Sequence, residues 1–437
     1  MTRIFGRQVP GEIVALGIAE ALLAFAVMYA VPGTSGAPAL APDAANVAAV
    51  LAFTAAATAA MIGLYRLEIC LDRKRLLPSA ALAGALAFPA ALLVGGLLHP
   101  GRSASGLAVA LMLWVACIVA IRSLFSCAVR RGWFVRRVLV LGCGRRAARM
   151  AGLLRRGAEF EPVMAWGLPL SAAALKAARI WCVVVAADDG GESHAEQLLD
   201  CKLRGIRVLQ DGCFCELHLG RVDLGDADAG WLLHSDGFRG GRLYRASKRL
   251  ADIVLGSAML AAAAPVMLLT ALLVRLDSRG AVLYRQERVG LDGKTFTLLK
   301  FRSMDADAEA AGAPRWAQGQ DPRVTRVGAI IRPLRIDELP QLVNVLRGEM
   351  SLTGPRPERP EFVEELGRVI PFYHQRSYVK PGLTGWAQVN FRYGASVADS
   401  REKLAYDLYY MKNRSLVLDF LILLATVRVV LFREGAR

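Results

Sequence analysis

The chain has 437 residues, of which 54% are hydrophobic and 21% charged, and its mean hydropathy is +0.37. Soluble proteins are less apolar than this, so part of the chain is expected in lipid, and composition excludes the collagen and wholly disordered classes. The 54 Lys and Arg residues outnumber the 38 Asp and Glu residues, and the formal charge of +16 favours a membrane protein that works against anions.

Four apolar stretches dominate the N-terminal part of the chain. They cover residues 12–31, 44–64, 80–98 and 106–126, and each is close to the roughly 20 residues that a helix needs to cross the hydrocarbon core. The first is too long for a signal peptide and the others follow at once, so we expect it to be retained. The sequence therefore predicts a four-helix transmembrane bundle over residues 1–130.

Basic residues around these stretches predict the orientation of the helices, because cytoplasmic loops next to spans are enriched in Lys and Arg. The loop 32–43 has none of either. Basic residues lie before the first stretch, between the second and third, and at the end of the fourth: Arg3, Arg7, Arg66, Arg73, Lys74, Arg75, Arg122, Arg130, Arg131, Arg136 and Arg137. We expect the N-terminus and everything after residue 127 to face the cytoplasm.

An α/β alternation follows over residues 131–240. The apolar run 138–142 predicts a buried strand, and the sequence from Gly142 to Ala147 has the G-x-G-x-x-A shape of a dinucleotide-binding turn. Runs 182–186 and 206–209 predict two more strands. This pattern indicates a Rossmann-like domain. No acidic residue stands where a ribose contact requires one, which favours a structural or regulatory domain over a nucleotide-binding one.

A fifth apolar run, 250–275, is long enough to cross the bilayer but contains Asp252 and Pro265, and basic residues flank both of its ends. A full crossing would place a basic flank and the basic C-terminal domain outside, against the charge rule. Proline removes a helix hydrogen bond and bends the chain. We therefore predict a re-entrant helix that breaks near Pro265, with a fifth true span as the alternative.

The segment from Ile336 to Leu342 combines two carboxylates with the start of a helical pattern. Pro340 is tolerated only in a first turn, which puts Asp337 at or near the N-cap, with Arg332 and Arg335 just upstream. Glu338 is suited to a divalent cation such as Mg²⁺. From the residues alone, capping is the commoner role for such a pair and catalysis is the alternative.

The C-terminal run 415–432 is nearly long enough for a span but contains Asp419 and Arg428. We predict an amphipathic helix that lies against the cytoplasmic leaflet, with a span as the alternative. Residues 245–437 hold 29 Lys and Arg against 20 Asp and Glu. Phosphate groups are the natural counterpart of this charge, and a domain tethered to a membrane is a poor candidate for nucleic-acid binding.

Four ordered motifs carry a resemblance to a known family: KFRSM at 300–304, R-x-x-x-x-DELPQL at 332–342, GEMSLTGPRPE at 348–358 and KPGLTGWAQVN at 380–390. Together they resemble the bacterial sugar transferases, which are polyprenyl-phosphate hexose-1-phosphate transferases. The PRPERPEF stretch and the C-terminal ending are most similar to members associated with exosortase-type exopolysaccharide systems. Many members carry Ser-Pro at the helix break, where this chain has Ala264 and Pro265.

The resemblance implies a large monotopic phosphoglycosyl transferase whose catalytic α/β domain covers residues 245–437. The implied reaction moves a hexose-1-phosphate from a UDP-sugar to undecaprenyl phosphate and releases UMP, as the first membrane step of exopolysaccharide or O-antigen synthesis. UDP-glucose or UDP-galactose is the expected donor. The resemblance also implies that the protein lies in the bacterial inner membrane, with its catalytic domain facing the cytoplasm. A homo-oligomer is possible.

The resemblance also implies roles for individual residues. Asp337 would be the nucleophile that forms a phosphosugar-aspartyl intermediate, and Glu338 would hold the Mg²⁺ cofactor. The polyprenyl phosphate would pair with Arg332. A phosphate-binding surface would include Lys300, Arg302 and Arg392, and the uridine would be held by Pro355, Arg356 and Pro357.

Two other functions compete with this one. A nucleotide-sugar oxidoreductase built on residues 138–210 would bind NAD tightly, which the missing ribose acid argues against. A non-enzymatic membrane scaffold or regulator of polysaccharide export would use the basic domain as a lipid anchor, and it leaves the paired carboxylates unexplained.

Overall fold

The computed structural model describes residues 2–4, 7–9, 11–31, 42–64, 73–98, 104–131, 133–155, 159–165, 169–186, 192–224, 237–238, 240–304, 323–391 and 396–431. These residues form two compact units, Met1–Leu219 and Gly220–Arg437. The predicted central domain was expected to continue to residue 240. The compact unit ends at Leu219 instead, because Val222 and Leu224 pack into the core of the second unit.

The first unit begins with a short antiparallel hairpin, β1 (Thr2–Ile4) and β2 (Arg7–Val9), and four helices follow it. These are α1 (Gly11–Ala30), α2 (Pro42–Ile62), α3 (Arg73–Leu98) and α4 (Ala104–Arg130). Each helix packs against the next, and α1 also packs against α4. Helices are thus present at all four predicted positions. Among the described residues, α3 and α4 contain segments long and apolar enough to cross a membrane, and α1 and α2 contain shorter apolar segments.

A buried ion pair lies between α1 and α4. The Arg122 guanidinium donates to the Glu20 carboxylate over 2.6 Å, and both side chains are almost fully excluded from solvent. The sequence-based orientation counted Arg122 as part of a cytoplasmic flank. That assignment was wrong, because α4 continues to Arg130 and Arg122 lies two turns inside it. The remaining basic residues still follow the end of the helix.

A four-stranded sheet forms the rest of the first unit. Its strands are β3 (Arg136–Leu141), β4 (Phe160–Met164), β5 (Ile180–Val185) and β6 (Arg207–Gln210), and all pairs are parallel in the order β4-β3-β5-β6. Four helices lie between or after the strands: α5 (Arg145–Arg155), α6 (Ala172–Ala177), α7 (Ala195–Leu203) and α8 (Asp211–Phe214). The three predicted strands are present, and β4, whose sequence mixes polar residues with apolar ones, was missed.

The predicted glycine turn joins β3 to α5. Gly142 and Gly144 have φ values of 136° and 98°, a left-handed region that side-chain-bearing residues rarely adopt. The turn therefore has the strand-turn-helix form that its sequence pattern predicts. Apolar side chains from both faces of the sheet form two core clusters, one under α5 and α8 and the other under α6 and α7.

The second unit opens with α9 (Arg242–Asp277), a helix of 36 residues that is long and apolar enough to cross a membrane. The helix runs through Pro265 without interruption, so the predicted break is not visible in the hydrogen-bonded helix, and the re-entrant path stays a prediction. Large apolar side chains remain exposed along it, including Leu268, Leu269 and Leu276. A surface of this kind marks contact with lipid or with another protein.

Polar residues at the start of α9 fix it to the rest of the unit. The Arg249 guanidinium donates to the carbonyls of Val345 and Leu346 at 2.7 and 2.6 Å, where it caps the end of a short helix. The Asp252 carboxylate accepts from Ser351 Oγ and Leu352 N, both at 3.0 Å. Asp252, which is unusual in an apolar run, is therefore an attachment point rather than a lipid-facing charge.

Short elements follow α9. The strands are β7 (Leu283–Val289), β8 (Thr295–Phe301), β9 (Ser351–Thr353) and β10 (Gly382–Thr384), with β7 antiparallel to β8 and β9 parallel to β10. The helices are α10 (Arg326–Ile331), α11 (Gln341–Arg347), α12 (Pro360–Val369), α13 (Trp386–Asn390), α14 (Val397–Asn413) and α15 (Leu416–Leu431).

The C-terminal helix α15 carries its charge inside. Asp419 accepts hydrogen bonds from Thr353 Oγ1 (2.6 Å), Tyr410 OH (2.7 Å) and Lys248 Nζ (2.8 Å), so it links α15 to β9, α14 and α9. Leu418 and Ile422 pack in the core, while Phe420 is exposed. One side of α15 thus belongs to the folded domain. Its predicted position on the cytoplasmic leaflet stays a prediction.

Candidate active site

Asp337 and Glu338 lie in a single 3₁₀ turn, Ile336–Glu338, directly before α11. Arg335 precedes the turn with φ 57°, a left-handed backbone conformation. The N-cap of α11 is Pro340, and Asp337 makes no capping hydrogen bond. The prediction that Asp337 caps this helix was therefore wrong. Both carboxylates instead lie in the turn before the helix, where each side chain is buried.

Three cationic side chains surround Glu338. Its Oε1 atom lies 2.8 Å from Arg356 NH2, 3.2 Å from Lys300 Nζ and 3.3 Å from Arg335 NH1. Burial by itself disfavours the charged carboxylate, but the charges of Arg356, Lys300 and Arg335 together outweigh that penalty and hold the pKa of Glu338 well below its usual range. Glu338 is therefore ionised at neutral pH, and it holds the three cations in one place.

Asp337 has a different environment. Its side chain is 8% exposed, and its Oδ1 atom is buried without a hydrogen-bond partner among the described residues. Burial, and after it the negative charge of Glu338, raise the pKa of Asp337 to about 6, against the opposing charges of Lys300, Arg335 and Arg356. A buried carboxylate oxygen without a donor is costly. Such an oxygen also has no hydrogen bond to break before it reacts. With a pKa of about 6, the Asp337 carboxyl group is mostly ionised at neutral pH and can act as a nucleophile.

Lys300 reaches the site from the β7–β8 hairpin. The buried side chain of Asn344, in α11, accepts from Leu299 N at 3.1 Å and donates to Thr297 O at 2.8 Å, which fixes β8 against α11. Burial lowers the pKa of Lys300, and the Glu338 carboxylate opposes this effect. A rigid strand thus holds the ammonium group beside the two carboxylates.

Arg356 reaches the site from the segment after β9. Gly354 N donates to Thr384 O at 2.9 Å, and Gly382 N donates to Pro355 O at 2.8 Å. A Cβ atom on Gly382 would lie 2.1 Å from Gly354 N, so only glycine allows this approach. Two of the four motifs, at 348–358 and 380–390, are therefore joined by backbone contacts. Arg376 NH2 also donates to the Arg356 carbonyl at 2.9 Å and fixes the chain there.

The structure brings together only part of the predicted set. Asp337, Glu338, Lys300 and Arg356 meet as expected. Arg302 does not join them, since its buried guanidinium donates to Val274 O (3.3 Å) and Ser278 O (2.7 Å) at the end of α9.

Other predicted residues lie around this set. Arg332 is half-buried at the end of α10 and forms no side-chain hydrogen bond or ion pair with the described residues. Pro357 O accepts from Arg288 NH1 at 3.0 Å, which holds the proline segment. Arg392 lies outside the described residues. Arg335 was not assigned a role from sequence, and only its position two residues before Asp337 could have indicated one.

The carboxylate pair has the donor set that Mg²⁺ uses. Magnesium binds through one or two carboxylates and completes its shell with substrate phosphate oxygens and water. Asp337 and Glu338 are adjacent, and one Asp337 oxygen is free of hydrogen bonds. In the described ranges, no three His, Cys, Asp or Glu side chains gather into a metal site of their own. The residues therefore fit an ion that is shared with a phosphorylated substrate.

Comparison with known proteins decides the family. The sequence profile described as "Bacterial sugar transferase" matches residues 243–433, which include every element of this site. A putative undecaprenyl-phosphate N-acetylgalactosaminyl 1-phosphate transferase of Bacillus subtilis is 55% identical over 133 residues, 30% of this chain and 74% of that protein. The chain belongs to the bacterial sugar transferase family.

Two further proteins similar to this chain have names that state both the sugar donor and the lipid acceptor. A UDP-N-acetylgalactosamine-undecaprenyl-phosphate N-acetylgalactosaminephosphotransferase of Aeromonas hydrophila is 45% identical over 253 residues, 57% of this chain and 58% of that protein. A UDP-glucose:undecaprenyl-phosphate glucose-1-phosphate transferase of Caulobacter vibrioides is 43% identical over 191 residues, 43% of this chain and 71% of that protein. The chain thus matches little more than half the length of the Aeromonas protein.

Proposed function

We propose that this protein transfers a hexose-1-phosphate from a UDP-sugar to undecaprenyl phosphate and releases UMP, as the first membrane step of exopolysaccharide or O-antigen synthesis. The observation that carries the proposal is the contrast between the two neighbouring carboxylates. Glu338 is engaged by three cations, whereas Asp337 Oδ1 has no hydrogen-bond partner among the described residues. One carboxylate organises positive charge, and the other is left free to react.

In the first half-reaction, an Asp337 oxygen attacks the phosphorus that bears the sugar. The new bond forms as the bond between that phosphorus and the bridging oxygen breaks, and UMP leaves with the electron pair. In the second half-reaction, an oxygen of undecaprenyl phosphate attacks the same phosphorus and displaces the carboxylate. One phosphoanhydride replaces another, so the enzyme supplies position and charge neutralisation rather than driving force.

The cations have separate tasks in this scheme. Lys300, Arg335 and Arg356 lie around the carboxylates, where they neutralise the oxygens of the diphosphate and of the phosphosugar-aspartyl intermediate. Arg332, which forms no side-chain ion pair within the described residues, is available for the undecaprenyl phosphate. Glu338 would hold Mg²⁺, which supplies further charge neutralisation on the phosphate oxygens when bound. Pro355, Arg356 and Pro357 would hold the uridine.

The proposed topology follows from charge and length. The four N-terminal helices form a transmembrane bundle, the parallel sheet is a degenerate Rossmann-like domain, and the catalytic unit lies on the cytoplasmic side of the inner membrane. We propose that α9 enters the cytoplasmic leaflet and returns, because both of its ends are attached to the unit that carries the site. Arg249 and Asp252 attach its start, and the Ser278 carbonyl, just after its end, accepts from Arg302. The names of the relatives specify glucose and N-acetylgalactosamine, so UDP-glucose and UDP-N-acetylgalactosamine are the first donors to test, followed by UDP-galactose.

The deciding experiment is mass spectrometry of the purified full chain after incubation with a UDP-sugar and no lipid acceptor. We expect an added sugar-phosphate, release of one UMP per chain, and loss of both in Asp337→Asn. Asp292→Asn, an exposed aspartate in the hairpin between β7 and β8, is the matched control and should keep both. An adduct that persists in Asp337→Asn would contradict the nucleophile.

A panel of UDP-sugars with undecaprenyl phosphate separates the competing functions. A transferase releases UMP with at least one donor. No UMP release with any donor would support a scaffold or export regulator, and tight NAD binding in place of UMP release would support an oxidoreductase. A cysteine-labelling scan that places residues near 290 outside the cytoplasm would contradict the re-entrant path of α9.

A further inference from the structure

A cavity lined by arginines lies in the first unit, far in sequence from the carboxylate pair. A cavity of about 610 Å³ opens at the amino ends of three strands and beside the first turns of α1. Its lining includes Glu12, Trp133, Arg136, Arg179, Trp181 and Arg207. A volume of this size is typical of a small-molecule pocket. The lining thus includes three guanidinium groups and one carboxylate.

The position of the cavity separates it from a nucleotide site. Arg136 and Arg207 are the first residues of β3 and β6, and Arg179 directly precedes β5. In open parallel sheets, nucleotides bind at the carboxyl ends of the strands, next to turns such as the one at Gly142 and Gly144. The arginines lie at the opposite edge of the sheet, so the cavity does not belong to the dinucleotide-type turn.

Trp181 organises the cationic side chains. The guanidinium carbons of Arg136 and Arg207 lie 5.5 and 5.3 Å from the centre of its ring, within cation–π distance. The Glu12 carboxylate also holds Arg136 in place, because it accepts a hydrogen bond from Arg136 NH2 at 2.6 Å. The Arg179 side chain is exposed and forms no ion pair within the described residues. Guanidinium groups held in this way match the oxygens of a phosphate.

The neighbours of the cavity indicate where the phosphate comes from. Glu12 lies in the first turn of α1, and Trp133 follows the end of α4, which is long enough to cross a membrane. Trp133 is 73% exposed. Tryptophans at the ends of membrane helices lie at the level of the lipid headgroups, and basic residues there attract anionic lipid. We propose that this cavity binds the phosphate headgroup of an anionic phospholipid in the cytoplasmic leaflet, which rests on the proposed topology but not on the proposed reaction.

The test is lipid binding to the detergent-purified full chain, measured by native mass spectrometry. The probes are phosphatidylglycerol, phosphatidylcholine of the same chain length, inorganic phosphate and UMP. We expect phosphatidylglycerol to bind about tenfold more tightly than phosphatidylcholine. The double variant Arg179→Gln/Arg207→Gln should bind phosphatidylglycerol about tenfold more weakly than the original protein does.

The matched control is Arg145→Gln, which removes one exposed arginine at the opposite edge of the sheet, beside the glycine turn. We expect it to leave phosphatidylglycerol binding within twofold of the original protein. Equal affinity for the two lipids, equal affinity in the folded double Gln variant, or a larger loss in Arg145→Gln would overturn the proposal. Displacement of phosphatidylglycerol by inorganic phosphate or UMP at equal concentration would also overturn it and assign the cavity to a soluble phosphate. None of these outcomes depends on UMP release by the carboxylate site.

Discussion

Glu20 and Arg122 form an ion pair 2.6 Å long between the first and fourth apolar helices, and the two side chains are 1% and 0% exposed. They are 102 residues apart in the sequence. Taken alone, a charged side chain in an apolar helix is unfavourable in a membrane. Together they join α1 to α4, as expected of buried charges, which are usually paired.

Removing one partner of this pair should destabilise the N-terminal helices more than removing both. Glu20→Leu leaves a buried guanidinium without its carboxylate, at a cost of about 3 kcal/mol, whereas Glu20→Leu/Arg122→Met replaces both charges with apolar groups. Thermal unfolding in detergent measures the difference. Arg131→Met, at an exposed residue just after α4, is the control for simple loss of an arginine. A double variant less stable than Glu20→Leu would contradict the pairing argument.

Adduct formation should depend on pH through Asp337. The attacking group is the carboxylate, and its pKa is raised to about 6. The rate should therefore be near its plateau at pH 7 and fall roughly tenfold per pH unit below about 5.5. The measurement is the first half-reaction with UDP-sugar and no lipid, because the diphosphate donor does not titrate in this range whereas a lipid monophosphate does. A rate that is constant between pH 7 and pH 5 would exclude a nucleophile with this pKa.

Glu338→Gln should change both the rate and the pH profile. Burial raises the pKa of Asp337 most, and the charge of Glu338 is the next contribution. Without that charge, Lys300, Arg335 and Arg356 act on Asp337 alone, so the acid limb should move to lower pH. The plateau rate should fall by about a hundredfold, since a charge that organises the phosphate site is lost. If the rate falls but the pH at which activity is lost stays the same, Glu338 acts only on the substrate and not on the pKa of Asp337.

Gly382→Ala should reduce activity through the backbone. The added Cβ atom would lie 2.1 Å from Gly354 N, a distance that forces β9 and β10 apart and moves Arg356. We expect a loss of about 2 kcal/mol or more in the free energy of unfolding, in the range of an overpacked site. Gly152→Ala is the matched control, because its Cβ would meet nothing within 4 Å inside α5. An active and equally stable Gly382→Ala protein would show that the two motifs do not depend on this approach.

Local chemistry explains what the sequence predicted well. Runs of apolar residues predicted the four N-terminal helices, the strands β3, β5 and β6 and the long helix α9. Such runs determine structure locally, over a few helical turns or one strand. The family followed from the four motifs, and the match over residues 243–433 confirmed it. The roles of Asp337 and Glu338 came from the same motifs and stay predictions.

Long-range contacts decided the rest. No periodicity in the sequence pairs Glu20 with Arg122, or places Asp419 against Lys248, because each pair joins segments more than 100 residues apart. Sequence patterns also did not predict that Arg302 donates to Ser278 O at the end of α9, or that Arg335 reaches Glu338 from a residue with left-handed backbone conformation. A charged side chain in an apolar segment can face lipid, join two elements or react with substrate. Which of these it does depends on the residues that contact it, and only the tertiary structure shows those residues.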